Sequence, residues 1–347
     1  LEPFKLETGR MVYMKLRLTA AATLLLILTS LIAPASAQLT RLHVGYSAIS
    51  ADQLPAWVAK ETGIFQKNGL DVDLIFFTGG TTSILALVSG DVPITQVSGP
   101  GLINSVMAGS DAVFIAAGMT SLNYVLMGKP GLKTAEQLKG GTVAISRFGS
   151  ATDSIARFAL KKIGLTPGKD VTIVQVGSGP ARLDAALTGK VSAAVINPPS
   201  SFLAERRGLA VVADVAQMGL VFQHTGAATT KRFIREHQDV VRRYVKSHVE
   251  AVHRIWTDKE ATVKALGKYM GGGVERDILE KSRDNILTEA LLPKKQYPTL
   301  EGLKTVLEDV GERDPRAKTA KPEQFVDFSF IKELDQSGYI DGLYKKK

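Results

Sequence analysis

The sequence has no cysteine. That excludes a disulfide framework, cysteine-ligated zinc and a thiol nucleophile. It also excludes a lipid-anchored lipoprotein, whose anchor needs a cysteine at the new N-terminus. Histidine is scarce. There are five (His43, His224, His237, His248 and His253), and His248 and His253 lie five apart, on different faces of any helix. No H-E-x-x-H pair occurs, so a zinc centre has no support. Nucleotide and hydrolase motifs are missing as well. No stretch fits G-x-x-x-x-G-K-[ST]. Gly177-Ser178-Gly179 is followed by Arg182 where a dinucleotide fingerprint needs its third glycine. Gly45-Tyr46-Ser47-Ala48 ends in Ile49 where a nucleophile elbow needs glycine. Asp71 and Asp73 flank Val72 at strand spacing and read as a strand entrance rather than an acid-base pair. No pattern unites nucleophile, base and oxyanion donors, so the sequence predicts no catalytic residues, no metal and no cofactor.

Long apolar runs are confined to one place. Leu18 to Ile32 is apolar, follows Lys15 and Arg17, and precedes Ala35-Ser36-Ala37. This order of basic, apolar and small residues predicts a signal peptide over residues 1–37, with an upstream extension, cleaved after Ala37 for export. No later stretch reaches 18 uninterrupted apolar residues, the length a spanning helix needs. The charge is lopsided, with 43 Lys and Arg against 34 Asp and Glu, a formal +9. That balance leans toward anionic ligands. The basic clusters, such as "KRFIRE", read as solvated helix faces without interleaved aromatics, so nucleic acid is not expected.

What the sequence does contain is a weak duplication. Residues 42–100 and 142–199 follow one plan of strand, helix, strand, small-residue turn, helix and strand. At a constant offset Val72 matches Val171, Gly80 matches Gly179, Ala86 matches Ala185, Gly90 matches Gly189 and Val92 matches Val191. The apolar runs holding Leu74, Phe76 and Ile173 read as buried parallel strands, and Gly90 and Gly189 as the residues that end short helices. Alternating strands and helices imply βαβ units with right-handed crossovers, hence an α/β fold of two lobes. In such sheets ligands bind beyond the carboxyl ends of the strands. Six loops therefore converge on one cleft: Ser47–Asp52, Thr78–Thr82 and Ser98–Gly101 in one lobe, and Ser146–Thr152, Gly177–Ala181 and Asn197–Ser201 in the other.

Several segments, in order along the chain, resemble one family. They are "PAWVAKETGIFQKNGLDVDL" (55–74), "ALVSGDVPI" (86–94), "EQLKGGTVAIS" (136–146), "ALTGKVSAAVINPP" (186–199) and "YPTLEGLKTVL" (297–307). Together they are similar to periplasmic substrate-binding proteins of ABC importers, in the nitrate, sulfonate, taurine and thiamine-pyrimidine branch. The resemblance implies a type II periplasmic binding protein, two α/β lobes joined by two crossing strands. It places residues 38–124 and 225–347 in lobe 1 and residues 125–224 in lobe 2, with crossings near 121–129 and 219–226. Within the six loops it implies ligand contacts at Ser47, Ala48, Gly80, Thr81, Thr82, Ser98 and Gly99. From the second lobe it adds Arg147, Gly149, Ser150, Thr152, Asn197 and Pro198. Hydroxyl and backbone donors would face an acidic head group. Arg147 either adds a charge-assisted contact or stands on the outer shoulder of its loop. The thiamine-precursor enzymes of the superfamily carry a cysteine-rich motif that is absent here, so the implied role is a receptor. It would be a periplasmic monomer that hands a small anionic solute (sulfonate, carboxylate or nitrate-like) to an ABC permease with its ATPase. An enzyme on the same fold, acting on a pyrimidine- or sulfonate-like molecule, and an exported sensor module are the alternatives.

Overall fold

A computed structural model describes Met14 and residues 38–345. The expected signal peptide otherwise lies outside the described residues. Ten strands form in the described chain: β1 (Thr40–Tyr46), β2 (Leu70–Phe76), β3 (Ile94–Ser98), β4 (Ala112–Ala117), β5 (Val125–Gly128), β6 (Thr142–Ile145), β7 (Thr172–Gln175), β8 (Ala193–Ile196), β9 (Ala210–Asp214) and β10 (Thr225–Thr230). They build two five-stranded sheets, ordered β2-β1-β3-β10-β4 and β7-β6-β8-β5-β9. The duplication is visible in that order. β1 lies parallel between β2 and β3, and β6 lies parallel between β7 and β8. Each sheet then adds an antiparallel strand, β10 against β3 in the first and β5 against β8 in the second.

Burial departs from expectation at one level. β3, β4 and β8 are buried throughout, but Leu74, Phe76 and Ile173 are only half-buried. β2 and β7 each lie at an edge of their sheet, where one side meets solvent, whereas β4, at the opposite edge of the first sheet, is bridged on its outer side from Phe114 to Val326. Gly90 and Gly189 do end their helices with positive φ, 90° and 71°, a conformation that costs glycine little.

Eight helices position the cleft and its support: α1 (Leu54–Glu61), α2 (Gly80–Ser89), α3 (Gly99–Met107), α4 (Ala151–Lys162), α5 (Gly179–Leu187), α6 (Ser200–Arg206), α7 (Gln238–Thr257) and α8 (Leu300–Gly311). α7 carries an apolar stripe. Val241, Tyr244, Val245, Val249, Val252 and Ile255 are buried in one core with Trp57, Phe65 and Ile94 of the first lobe, while Val240 packs at its edge.

The lobes are joined by two segments, 118–124 and 219–224, and the first hydrogen-bonds to the second and to Thr225 at the start of β10. Gly118 N donates to Thr225 O at 2.8 Å, His224 N to Met119 O at 3.0 Å, and Met119 N to Thr225 Oγ1 at 2.9 Å. Leu122, Tyr124 and Phe222 of these segments belong to a core that runs from α3 and α8 into the second lobe at Val143, Ile145 and Ile155. The return segment is gripped from two sides. A Cβ on Gly99 would lie 2.3 Å from Gln223 O, and one on Gly302 would lie 2.4 Å from Gln223 N. Only glycine lets α3 and α8 approach the strand so closely.

Candidate functional site

The carboxyl ends of β1, β2, β3, β6, β7 and β8 all meet one cavity between the sheets. Ser47, Gly80, Ser98, Ser150, Gly179 and Asn197 line it, one from each of the six loops. The cavity holds about 40 Å³. That suffices for a compact polar group, and a larger ligand needs the lobes further apart.

Four helices of eight residues or more start at this space. Gly79 and Gly80 open α2, Ser98 precedes α3, Ser150 and Ala151 open α4, and Ser178 and Gly179 open α5; all are buried except Ser178, which is half-buried. Ser178 caps α5 by accepting from Ala181 N at 3.4 Å. The other three starts have no side-chain cap. Ser98 and Ser150 are cap-type residues at cap positions, yet neither caps its helix. The Ser98 hydroxyl is buried and unpartnered. Ser150 Oγ instead donates to Arg147 O at 2.7 Å and sits 2.9 Å from Ser146 Oγ, which is 2.8 Å from Thr152 Oγ1. Uncapped helix N-termini present amide donors and the positive end of the helix dipole, and here they do so from both lobes.

Arg182 completes the positive end. It lies in the first turn of α5, is 4% exposed, and lines the cavity. Its Nε donates to Val195 O at 2.7 Å and its Nη1 donates to Gly177 O, so the guanidinium is anchored to β8 and to the loop before its own helix. Burial pushes it down to about 10, which leaves it cationic at neutral pH. A cation at a helix N-terminus opposes the dipole unless an anion faces both.

The opposite wall carries an acid. Asp52 is 1% exposed, and its Oδ2 accepts from Asn197 Nδ2 of the second lobe at 2.5 Å, from His224 Nε2 at 2.9 Å and from Ser50 Oγ at 3.4 Å. With Asp52 Oδ2 as the acceptor, His224 donates from Nε2. Asp52 Oδ1, His224 Nδ1 and Gln53 Nε2 are buried without partners. Tyr124 packs edge-on against His224, with ring centroids 5.2 Å apart. Burial raises the Tyr124 phenol, Asp52 raises it further and Arg182 pulls it down, so one hydroxyl feels both charges and stays neutral.

Of the residues expected from sequence, Ser47, Ala48, Gly80, Ser98, Ser150, Thr152 and Asn197 line this cavity. The others surround it. Thr81 Oγ1 donates across the lobes to Phe148 O at 2.8 Å, and Asn104 Nδ2 donates to Gly149 O at 3.1 Å. Thr82 Oγ1 bonds back to Thr78 O, and Gly99 packs against the return segment. Pro198 O accepts from Ala51 N at 3.2 Å, a backbone bond between lobes. Arg147 is half-buried with its stem against Gly79 and is not among the lining residues. The arginine in the cavity is Arg182. Sequence reasoning also passed over Asp52, Tyr124, Ser146 and Ser178 as contacts and gave His224 only a place between the lobes. The legible signal was Arg182 itself, a cation in the first turn of a helix that follows a Gly-Ser-Gly turn.

The model of a family described as "NMT1/THI5 like" matches residues 50–260. The taurine-binding periplasmic protein of Escherichia coli is 29% identical over 280 residues, covering 77% of this chain and 83% of that protein. Among solved structures, the alkanesulfonate-binding protein SsuA from Xanthomonas axonopodis pv. citri bound to MOPS aligns with a TM-score of 0.67 at 17% identity. It covers 84% of this chain and 99% of that one. The periplasmic nitrate-binding protein NrtA from Synechocystis PCC 6803 aligns with a TM-score of 0.71 at 13% identity, over 89% and 92% of the two chains. These two structures share the fold of two α/β lobes.

Proposed function

Because the chain belongs to the NMT1/THI5-like family, we propose that it is the solute-binding receptor of an ABC importer, exported to the periplasm and acting as a monomer. Its ligand is a small organic oxyanion, held between the lobes and delivered to a membrane permease. The observation that carries this reading is the convergence of three uncapped helix starts and the buried Arg182 on one cavity between two lobes. Each component favours negative charge. The names of the relatives agree in kind, since they bind taurine, an alkanesulfonate and nitrate.

Recognition couples to closure through the six loops. Ser47, Gly80 and Ser98 reach the ligand from one side, and Ser150, Thr152 and Arg182 from the other. A bridging oxyanion adds favourable contacts to the closed arrangement that the open one lacks, so it shifts the population toward closed. Asp52–Asn197 and Thr81–Phe148 supply closing contacts at the back and the rim. The permease would read the closed form.

Thermal unfolding against sulfonates, carboxylates and nitrate tests the reading. One class should raise the melting temperature progressively with concentration, as a ligand that binds only the folded state must. No stabilisation by any of them, together with turnover of one of them, would replace the receptor by an enzyme on the same fold.

A further inference from the structure

We propose that the helix Arg276–Ile286 is a clasp, built on the first lobe, that grips α6 of the second and draws the lobes together before any ligand arrives. This goes beyond the receptor reading, because it concerns the empty protein and needs no particular ligand.

One face of this helix belongs to the first lobe. Leu279 and Ile286 lie in that lobe's core with Trp57 and Leu266. Arg283 is 8% exposed, and its Nη2 donates to Ile255 O at 2.9 Å and to Trp256 O at 3.0 Å, near the end of α7. Arg276 pairs with Glu260 and Glu280, which are also on the first-lobe side.

The other face belongs to the second lobe. Ile278 is 3% exposed and is buried with Leu183, Leu203 and Leu209, all of residues 125–224. Charged groups frame it. Arg206 of α6 pairs with Asp277, and its Nη1 lies 3.8 Å from Glu275 Oε1. Lys281 Nζ stands 4.0 Å from the centroid of the Phe202 ring and 3.8 Å from Glu205 Oε2. Phe202, Glu205 and Arg206 share one face of α6, and Val274, Asp277, Ile278 and Lys281 follow the same helical spacing opposite them. The chain reaches that position through Gly271, Gly272 and Gly273, whose φ values are 80°, 76° and 75°. A Cβ on any of the three would meet nothing within 4 Å, so glycine serves the left-handed turn there rather than close packing. The turn delivers Val274, which packs against the cores of both lobes.

The grip acts on the cleft through α6. That helix begins just after Asn197 and Pro198, which bond across the lobes to Asp52 and to Ala51 N. Rotating α6 away would strip Ile278 of its second-lobe neighbours and part the pairs at Arg206 and Lys281. Each exposed pair is weak alone, but they add to the burial of Ile278. A closed fraction present before binding raises apparent affinity in proportion to that fraction.

Spin-label distance measurements on the ligand-free protein test this. Labels go on Leu85→Cys in α2 and Asp184→Cys in α5, both exposed, in a sequence with no other cysteine. The clasp predicts a short-distance population without ligand. Arg206→Ala with Lys281→Ala should raise the ratio of long to short distances by about three- to tenfold, the scale of two exposed charge contacts. Arg276→Ala breaks pairs of the same helix that do not cross to α6, and it should leave the ratio unchanged. Long distances alone in the unsubstituted background, no shift in the double variant, or an equal shift from Arg276→Ala would each overturn the clasp. None of these outcomes touches the receptor reading, which the melting series tests with ligand present.

Discussion

At the scale of single residues, the site turns on two arginines that sequence alone could not rank. Arg147 follows a strand and precedes Gly149, so it reads either as a charge in the cleft or as a residue on the outer shoulder of its loop. Arg182 stood where a glycine motif failed. Side-chain direction decides between them, and it depends on packing between lobes that are distant in sequence. The Arg147 stem lies along Gly79, while Arg182 is turned inward and tied to β8. Removing the guanidinium by Arg182→Met should weaken oxyanion binding by about 1.5–3 kcal/mol, the cost of losing a charge-assisted bond. Arg147→Ala should change it by no more than about 0.5 kcal/mol. Titration calorimetry on the two variants separates them. The reverse ranking would restore Arg147 to the site. His248 shows the other fate of a lone histidine. Its Nε2 lies 2.6 Å from Ala117 O and 2.9 Å from Gln296 Oε1, and burial holds its pKa below the ordinary value. The unfolded chain therefore binds a proton that the folded one resists. Stability should be full above about pH 6.5 and fall as pH drops from there, and His248→Gln should flatten that slope. Melting temperatures across pH 4.5–8 would check it, and parallel slopes would contradict it.

At the scale of elements, the repeat was readable because hydrophobic period and glycine punctuation are local. β1, β6, α2 and α5 fall where the duplicated pattern put them. The half-exposure of β2 and β7 was not readable, because an apolar run does not say whether another strand will cover its outer edge. The close approach of α3 and α8 to the return segment was hidden for a related reason. Gly99 and Gly302 read as ordinary small residues until Gln223 is placed between them. Gly302→Ala should therefore lower stability by about 1–3 kcal/mol through overpacking, even though alanine favours a helix. Gly342→Ala, in the helix Tyr339–Tyr344, meets nothing within 4 Å and serves as the control. It should be neutral or slightly stabilising. Chemical denaturation of both variants gives the comparison, and equal stabilities would remove the clamp from the account.

At the scale of the whole molecule, two sheets from one duplicated plan turn the carboxyl ends of six strands toward each other. The crossing segments keep the lobes in register, and the contacts Asp52–Asn197, Ala51–Pro198, Thr81–Phe148 and Asn104–Gly149 close them over the cavity. On the receptor reading, neither lobe holds the ligand alone. The structure of the chain crystallised with the sulfonate that raises its melting temperature most tests this directly. The account predicts the oxyanion in the cavity, bonded to Arg182 and to first-turn amides from both lobes. A sulfonate outside the cleft, or held by one lobe with Arg182 unengaged, would contradict it.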